Sequence, residues 1–367
     1  MTTFGPLFVP APLLEAVSDE AWLRAMLNAE QALAPEIAGA CDPALYDIAA
    51  LCEEGRAVGN PVEPLVRAIR AQVGGEAAAA VHRGATSQDI MDTATMVVAR
   101  SARDLIDHES QGVIGECARL AREHRSTPMA ARTLLQQAVP TTFGYKAAVW
   151  LAGVAQARSL LAAVELPAQL GGAAGTLAKL GDEGPAVRAA FAERLGLTNP
   201  VLPWHTQRLP VVRLAAALGA VAAACAKIGL DVVLLAQSEL GEVREAAGGG
   251  SSTMPHKRNP VHAVLARACA RTVHAQASLL SGGDYEHERA AGAWHAEWNA
   301  VSTALAFTGG AAAAARTCLE GLEVDVARMR DNMRAELVSE RGDGDPDPTT
   351  YLGSAERFVD DALRAYS

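Results

Sequence analysis

Residues 211–243 constrain the fold of this chain more than any other segment. The stretch reads VVRLAAALGAVAAACAKIGLDVVLLAQSELGEV and is apolar on more than one face. A helix that is apolar nearly all round must be buried on nearly all sides. Its many alanines raise helix propensity and allow neighbouring helices to approach closely. The sequence therefore predicts a bundle of long helices, either completed within one chain or, as we favour, with a core shared between subunits.

Other parts of the chain carry the same helical signal. Apolar residues recur at helical spacing over residues 19–37, 61–71, 87–107, 112–124, 141–164, 260–280, 294–318 and 353–366. Aromatic residues make up only 4% of the chain and alternating β-branched runs are rare, which argues against a sheet-based core. We predict an all-α fold with three parts. These are an N-terminal helical domain (1–110), a central long-helix bundle (111–320) and a reduced C-terminal segment (321–367).

Charge and cysteine usage narrow the class of protein. The formal net charge of -10 disfavours general binding to nucleic acid or to anionic membranes, although a few focused arginines can still bind an anionic substrate. The six cysteines are scattered without metal-type spacing, as expected of reduced thiols in a cytoplasmic protein. No leader segment is evident. No His, Asp and Glu cluster has metal-site spacing, so we expect neither a metal nor another cofactor.

The loop at residues 246–260 carries the strongest chemical signal. It reads AAGGGSSTMPHKRNP between two long helical patterns. Its glycines make the entrance flexible and its prolines prevent helix formation. Two serine hydroxyls, a lysine and an asparagine thus lie on a strip that can close over a ligand and exclude water. A plain linker is the alternative, but a linker does not require the MPHKRNP sequence that follows the serines.

Three segments together resemble the signature regions of the fumarase/aspartase superfamily. They are HRGATSQDIMDT at 82–93, ARTLLQQAVPTTFG at 131–144 and GSSTMPHKRNP at 250–260. This resemblance implies an all-helical homotetramer of the fumarase/aspartase type, in which three subunits contribute one region each to every active site. It also implies a C-terminal domain that is largely truncated here, since few residues follow position 321.

The resemblance implies abstraction of a proton α to a carboxylate through an aci-carboxylate intermediate. Ser251 would be the catalytic base, with Ser252 as the second candidate, and Lys257 would stabilise the dianionic intermediate. The remaining residues implied to contact substrate in these three regions are Thr86, Ser87, Gln88, Thr133, Gln136, Met254 and Asn259. A purely structural role, as a helix cap or a satisfied polar group, stays open for the polar ones.

Two departures from the superfamily pattern indicate the branch. Members that expel an amine carry a histidine where this chain has Leu134 and a glutamate where it has Val264. A leaving amine must be protonated, whereas a leaving carboxylate with a pKa near ~4 needs no general acid. The joint loss of both residues therefore favours chemistry that adds or expels a carboxylate, such as lactonisation.

Residues 203–208 (PWHTQR) and 286–298 (EHERAAGAWHAEW) resemble the bacterial 3-carboxy-cis,cis-muconate cycloisomerases. The resemblance implies reversible lactonisation of a tricarboxylate muconate, a step in protocatechuate degradation. Arg289 suits bidentate carboxylate binding, with Arg208 and His205 as further candidate ligands. Alternatives are a cycloisomerase for an analogue such as 3-sulfomuconate, an adenylosuccinate lyase, or a catalytically silent structural homologue.

Overall fold

The computed structural model describes residues 4–246, 249–250, 254, 257–342 and 347–367. The α-helices are α1 (Gly5–Phe8), α2 (Ala11–Ala16), α3 (Asp19–Leu33), α4 (Ile48–Gly55), α5 (Val62–Val73), α6 (Ser87–Glu123), α7 (Phe143–Ala162), α8 (Gly184–Leu195), α9 (Leu209–Leu235), α10 (Val261–Leu280), α11 (Ala293–Glu320), α12 (Val326–Asp331) and α13 (Ala355–Tyr366). The strands are β1 (Pro128–Thr133), β2 (Gln136–Thr142), β3 (Val243–Glu245), β4 (Gly249–Gly250), β5 (Arg258–Asn259) and β6 (Leu322–Val324).

Five long helices, α6, α7, α9, α10 and α11, form the central bundle. Helix α9 has a mean hydropathy of 2.0 and the length of a membrane span, but it packs against α7, α10 and α11 as a core helix. Within the chain, only half of the most apolar 18-residue stretch of α9 is buried. The all-α, long-helix architecture predicted from the sequence is therefore confirmed, and α9 keeps an apolar face for further contacts.

The two helices predicted at 87–107 and 112–124 are one continuous helix, α6. Gly112 interrupts the apolar pattern but lies inside the helix, and a larger side chain at this position would meet Arg316 of α11, which accounts for the glycine. The proposed division at residue 110 falls within α6. The three-part division of the chain stays a proposal.

In the described part of the chain, three two-stranded antiparallel sheets lie outside the bundle core. Strands β1 and β2 form a hairpin, β3 pairs with β6, and β4 pairs with β5 across the loop predicted from the sequence. The hairpin was not anticipated, because its sequence has no Asn-Gly or Asp-Gly turn. Helix α13 packs on α7 and is attached by Arg125, which bonds Glu356 and Asp360.

Most of the cysteine thiols are buried and all six are free. Cys117, Cys225, Cys269 and Cys318 are buried in the bundle. Burial raises the pKa of Cys225 and of Cys269 to about 12, so these thiols stay protonated and unreactive at neutral pH.

Candidate active site

The first turn of α6 is organised around the buried carboxylate of Asp89. Its oxygens accept hydrogen bonds from the backbone N–H groups of Thr86 (2.9 Å), Gly171 (2.8 Å) and Gly172 (2.9 Å). The same carboxylate lies 2.7 Å from Nε2 of His205. These three backbone donors fix the position of the carboxylate, which in turn holds the imidazole of His205 in one orientation.

Glycine is required at positions 171 and 172 by close packing. A Cβ on Gly171 would lie 2.8 Å from the ring of His205, and one on Gly172 would lie 2.8 Å from the carbonyl oxygen of Gly84. Gly172 also has a φ of +69°, which disfavours other residues. The GGAAG run at 171–175 thus supplies two of the three backbone donors that bind Asp89.

Arg208 lies at the centre of a buried ion network beside that first turn. Its guanidinium donates to both oxygens of Asp92, at 2.7 and 2.9 Å, and to both oxygens of Glu297. Trp294 Nε1 donates to Asp92 at 3.0 Å, and the Tyr285 hydroxyl donates to Glu297 at 2.6 Å. Burial, followed by the bond to Glu297, raises the pKa of Tyr285. The network holds α6, α11 and residues 203–208 together.

These bonds change the interpretation of Arg208. The sequence predicted a substrate ligand, but Nε, Nη1 and Nη2 all bind buried carboxylates and the side chain is only 2% exposed. A substrate carboxylate would have to displace one of these partners. The structure supports a structural role for Arg208.

Gln88 and Arg289 lie next to the network. The Gln88 amide nitrogen donates to Asp92 (3.1 Å) and to the carbonyl oxygen of His205 (2.7 Å). Its amide oxygen accepts from Arg289 Nη1 (3.1 Å), and Arg289 Nη2 donates to the carbonyl oxygen of Ala173 (2.8 Å). Gln88 is fully buried, whereas Arg289 is half-buried.

We call this region the Arg208 end of the bundle. It comprises residues 84–93, 169–173, 203–208 and 285–297. The structure brings six of the predicted site residues together there: Thr86, Ser87, Gln88, His205, Arg208 and Arg289. Thr86 and Ser87 are half-buried at the start of α6.

The opposite end carries the other two signature regions. We call it the loop end, comprising residues 128–142, 236–246, 322–332 and the described part of 249–265. Thr133 and Gln136 pair with each other at the exposed tip of the β1–β2 hairpin. Between them Leu134 and Leu135 have φ values of +50° and +64°, and Leu134 is 96% exposed. Leucine rarely adopts this conformation, and both side chains are exposed at the tip.

Buried carboxylates connect the hairpin to the loop. Glu242, fully buried, accepts from both terminal nitrogens of Arg132 on β1, at 2.5 and 2.9 Å, and from the side chain of Asn332. Glu245 on β3 accepts from the backbone N–H groups of His262 and Ala263, and thereby caps the start of α10.

An open cavity of about 1180 Å³ lies between the loop, β3, β6 and α10. Lys257, Asn259 and Val264 line it, and Val264 is 48% exposed. Met254, 42% exposed, accepts a backbone hydrogen bond from Lys257. The proposed bases Ser251 and Ser252 lie outside the described residues.

Within one chain the predicted residues do not form one site. Helix α6 has 37 residues and is about 55 Å long at about 1.5 Å per residue. The first signature region lies at its start, and the hairpin begins at Pro128, five residues after the last residue of the helix, Glu123. Side chains from the two ends therefore cannot contact the same small molecule in a single chain.

Three carboxylates of the Arg208 end were missed by the sequence reasoning. Asp89, Asp92 and Glu297 are each at least 97% buried and bonded to His205 or Arg208, yet nothing in the local sequence distinguishes them from surface carboxylates. The spacing of Asp89 and Asp92, three residues apart on one helix face, was the only available signal. In the described part of the chain, no group of three or more His, Cys, Asp or Glu residues could hold a metal ion.

Comparison with known proteins identifies the family. The sequence pattern of the lyase family matches residues 15–274. The chain belongs to this family. It is 44% identical to a 3-carboxy-cis,cis-muconate cycloisomerase of Bradyrhizobium diazoefficiens, over 91% of this chain and 80% of that protein. It is also 46% identical to a nitrosuccinate lyase of Streptomyces davaonensis, over 92% of this chain and 78% of that protein.

The fold agrees with these relatives. The crystal structure of the 3-carboxy-cis,cis-muconate lactonizing enzyme from Pseudomonas putida superposes with a TM-score of 0.92 at 36% identity. The match covers 99% of this chain and 98% of that one. The fumarase/aspartase-like fold predicted from the sequence is thus confirmed. The truncation of the C-terminal domain stays a prediction.

Proposed function

We propose that this lyase-family protein is a cycloisomerase that interconverts 3-carboxy-cis,cis-muconate and its carboxymuconolactone. The observation that carries this proposal is the aliphatic pair Leu134 and Val264 at the loop end. Neither side chain can donate a proton to a leaving group, and Val264 lines the loop cavity. Such a site suits a carboxylate, which adds to and leaves from carbon without protonation.

The proposed residue roles follow from this chemistry. In the lactonising direction a substrate carboxylate adds to the conjugated diene, and Ser251 delivers the proton to carbon, with Ser252 as the alternative donor. Lys257 stabilises the negative charge on the aci-carboxylate intermediate. Asn259 and Met254 contact the substrate from the loop, Thr133 and Gln136 from the hairpin, and Thr86, Ser87 and Arg289 from the Arg208 end.

A homotetramer with shared active sites accounts for the separation of the two ends. Antiparallel subunits would bring the Arg208 end of one chain to the loop ends of others. The bundle helices retain exposed apolar residues that such contacts would cover: Val149, Leu160, Leu230, Val264 and Leu279. We place this assembly in the cytoplasm, without a nucleic-acid or membrane partner.

The test is loss of the ultraviolet absorbance of the muconate diene on addition of enzyme, with EDTA present throughout. The expected result is decay with 3-carboxy-cis,cis-muconate at a rate that EDTA does not change. A sulfonated muconate tested in parallel measures how strictly the third carboxylate is required. No decay with either substrate overturns the cycloisomerase proposal, and a rate abolished by EDTA overturns its metal independence.

A second candidate is elimination of nitrite from a nitrosuccinate. The 46% identity to the Streptomyces nitrosuccinate lyase favours it. Nitrite also leaves as a stable anion, so the absence of an acid at Leu134 and Val264 is compatible with both reactions. Colorimetric detection of nitrite from nitrosuccinate separates the two activities. Nitrite release without decay of the muconate assigns the protein to this second reaction.

A further inference from the structure

We propose that Gln88 is a positioning residue, which fixes the guanidinium of Arg289 for a substrate carboxylate, and that Asp92 sets the orientation of the Gln88 amide. The inference rests on the proposed function, because Arg289 is assigned there to the substrate. The sequence predicted that Gln88 itself binds substrate. The geometry gives it a different task.

The hydrogen bonds of Gln88 determine which way its amide faces. The amide nitrogen lies 3.1 Å from the Asp92 carboxylate and 2.7 Å from the His205 carbonyl oxygen, and both of these accept only. The amide oxygen lies 3.1 Å from Nη1 of Arg289, which donates only. If the amide were reversed, its oxygen would face two acceptors and its nitrogen would face a donor, so none of the three hydrogen bonds could form.

These contacts use the full donor capacity of the Gln88 amide. Both N–H groups are engaged, the oxygen already binds a charged donor, and the residue is fully buried. A substrate group would have to break one of these bonds to reach it. Gln88 therefore acts through Arg289 and not directly.

Asp92 is a rigid reference point for this amide. Its oxygens accept from Arg208 at 2.7 and 2.9 Å and from Trp294 at 3.0 Å, so the carboxylate cannot rotate without breaking several buried bonds. Because Asp92 is fixed, it fixes the Gln88 amide, and Gln88 in turn holds Arg289 at the edge of the site.

Arg289 is held on a second side by the backbone. Its Nη2 donates to the carbonyl oxygen of Ala173 at 2.8 Å. Among the described residues Nε–H of Arg289 has no partner, and this half-buried side chain still reaches solvent. Fixing both terminal nitrogens aims the remaining N–H edge at an incoming carboxylate and lowers the entropy lost on binding.

A double-mutant cycle tests the proposal, with Gln88→Met, Arg289→Met and the double variant. Gln88→Met keeps the side-chain volume and removes both kinds of hydrogen bond. We expect its KM to rise about 10- to 100-fold, the effect of losing one bond to a charged group, with kcat changed less. In the Arg289→Met background the same substitution should alter kcat/KM by less than about twofold.

Gln169→Met is the matched control. Gln169 is also a fully buried glutamine at the Arg208 end, where its oxygen accepts from the backbone N–H of Trp204 at 2.8 Å. Its substitution should lower Tm while leaving KM within about twofold of the wild-type value. Equal effects of Gln88→Met and Gln169→Met on KM, or full additivity in the cycle, would overturn the positioning role.

A readout independent of turnover separates this proposal from the proposed function. Phenylglyoxal modifies accessible, unengaged arginines, and peptide mass spectrometry gives the rate at Arg289. That rate should rise in Gln88→Met and not in Gln169→Met, whichever substrate the enzyme uses. An unchanged rate refutes the positioning role. If the wild type converts nitrosuccinate instead of the muconate, the proposed function fails and the cycle is measured with that polycarboxylate.

Discussion

The two ends of the helix bundle differ in how far their polar side chains are buried and paired. At the Arg208 end, ionised side chains are buried, paired and connected to the backbone, and Arg208 is only 2% exposed. At the loop end, candidate substrate contacts lie on a hairpin tip and a loop, where Leu134 is 96% exposed and Lys257 is exposed. The Arg208 end is therefore preorganised within the chain, whereas the candidate substrate contacts of the loop end are exposed on the surface of the chain.

The largest expected effect concerns the loop end. Ser251→Ala should lower kcat by at least about 10³-fold, because it removes the proposed group that transfers the proton to carbon. The far-ultraviolet circular dichroism and the oligomeric mass should stay unchanged. Ser252→Ala is the matched control and should retain most activity. If the two variants behave in the opposite way, Ser252 takes the role of the base.

Mixing of inactive variants tests whether the two ends belong to different subunits. Ser251→Ala alters the loop end and Arg289→Met the Arg208 end. In co-assembled tetramers with equal subunit amounts, a site drawing its two ends from different chains is intact with a probability of about one quarter. We therefore expect recovery of up to about 25% of wild-type activity on co-expression. No recovery in verified mixed tetramers would contradict shared sites.

Removing a buried ion pair should lower the free energy of unfolding more than removing an exposed one. Arg208→Met leaves Asp92 and Glu297 buried without their cation and should lower the free energy of unfolding by about 3–5 kcal/mol. Arg244→Ala breaks the Arg244–Glu323 pair between β3 and β6, whose side chains are about half exposed, and should cost under about 1 kcal/mol. Urea titration at one protein concentration gives both values. Similar losses in the free energy of unfolding for the two variants would show that the buried network is no more important for stability than the exposed pair.

The smallest expected effect is a pH dependence near the hairpin. Burial lowers the pKa of His124, which packs edge-on against Phe143 at the start of α7. The unfolded chain therefore binds a proton more readily than the folded chain, so stability should fall as pH drops below about 6.5. His124→Phe should flatten this part of the curve of Tm against pH. An unchanged slope would show that other groups control it.

The sequence by itself determined the class of fold and the family chemistry. Helical periodicity and the apolar faces of residues 211–243 predict a helix bundle, because a continuous apolar surface must be buried. The loop at 250–260 and the substitutions at Leu134 and Val264 indicate the reaction type, since the choice of acids and bases reflects the leaving group. Local pattern was sufficient for these conclusions.

Only the tertiary structure decided what individual polar residues do. Periodicity could not show that α6 is continuous through Gly112, because a glycine that breaks the apolar pattern is also typical of a helix end. Residue type could not distinguish Arg208, bound to two buried carboxylates, from Arg289, which keeps a free edge. Each arginine suits a carboxylate, and the partner that it finds depends on helices distant in sequence. The role of such a polar residue depends on its partners from distant parts of the chain. Tertiary packing decides these partners, and the local sequence does not show them.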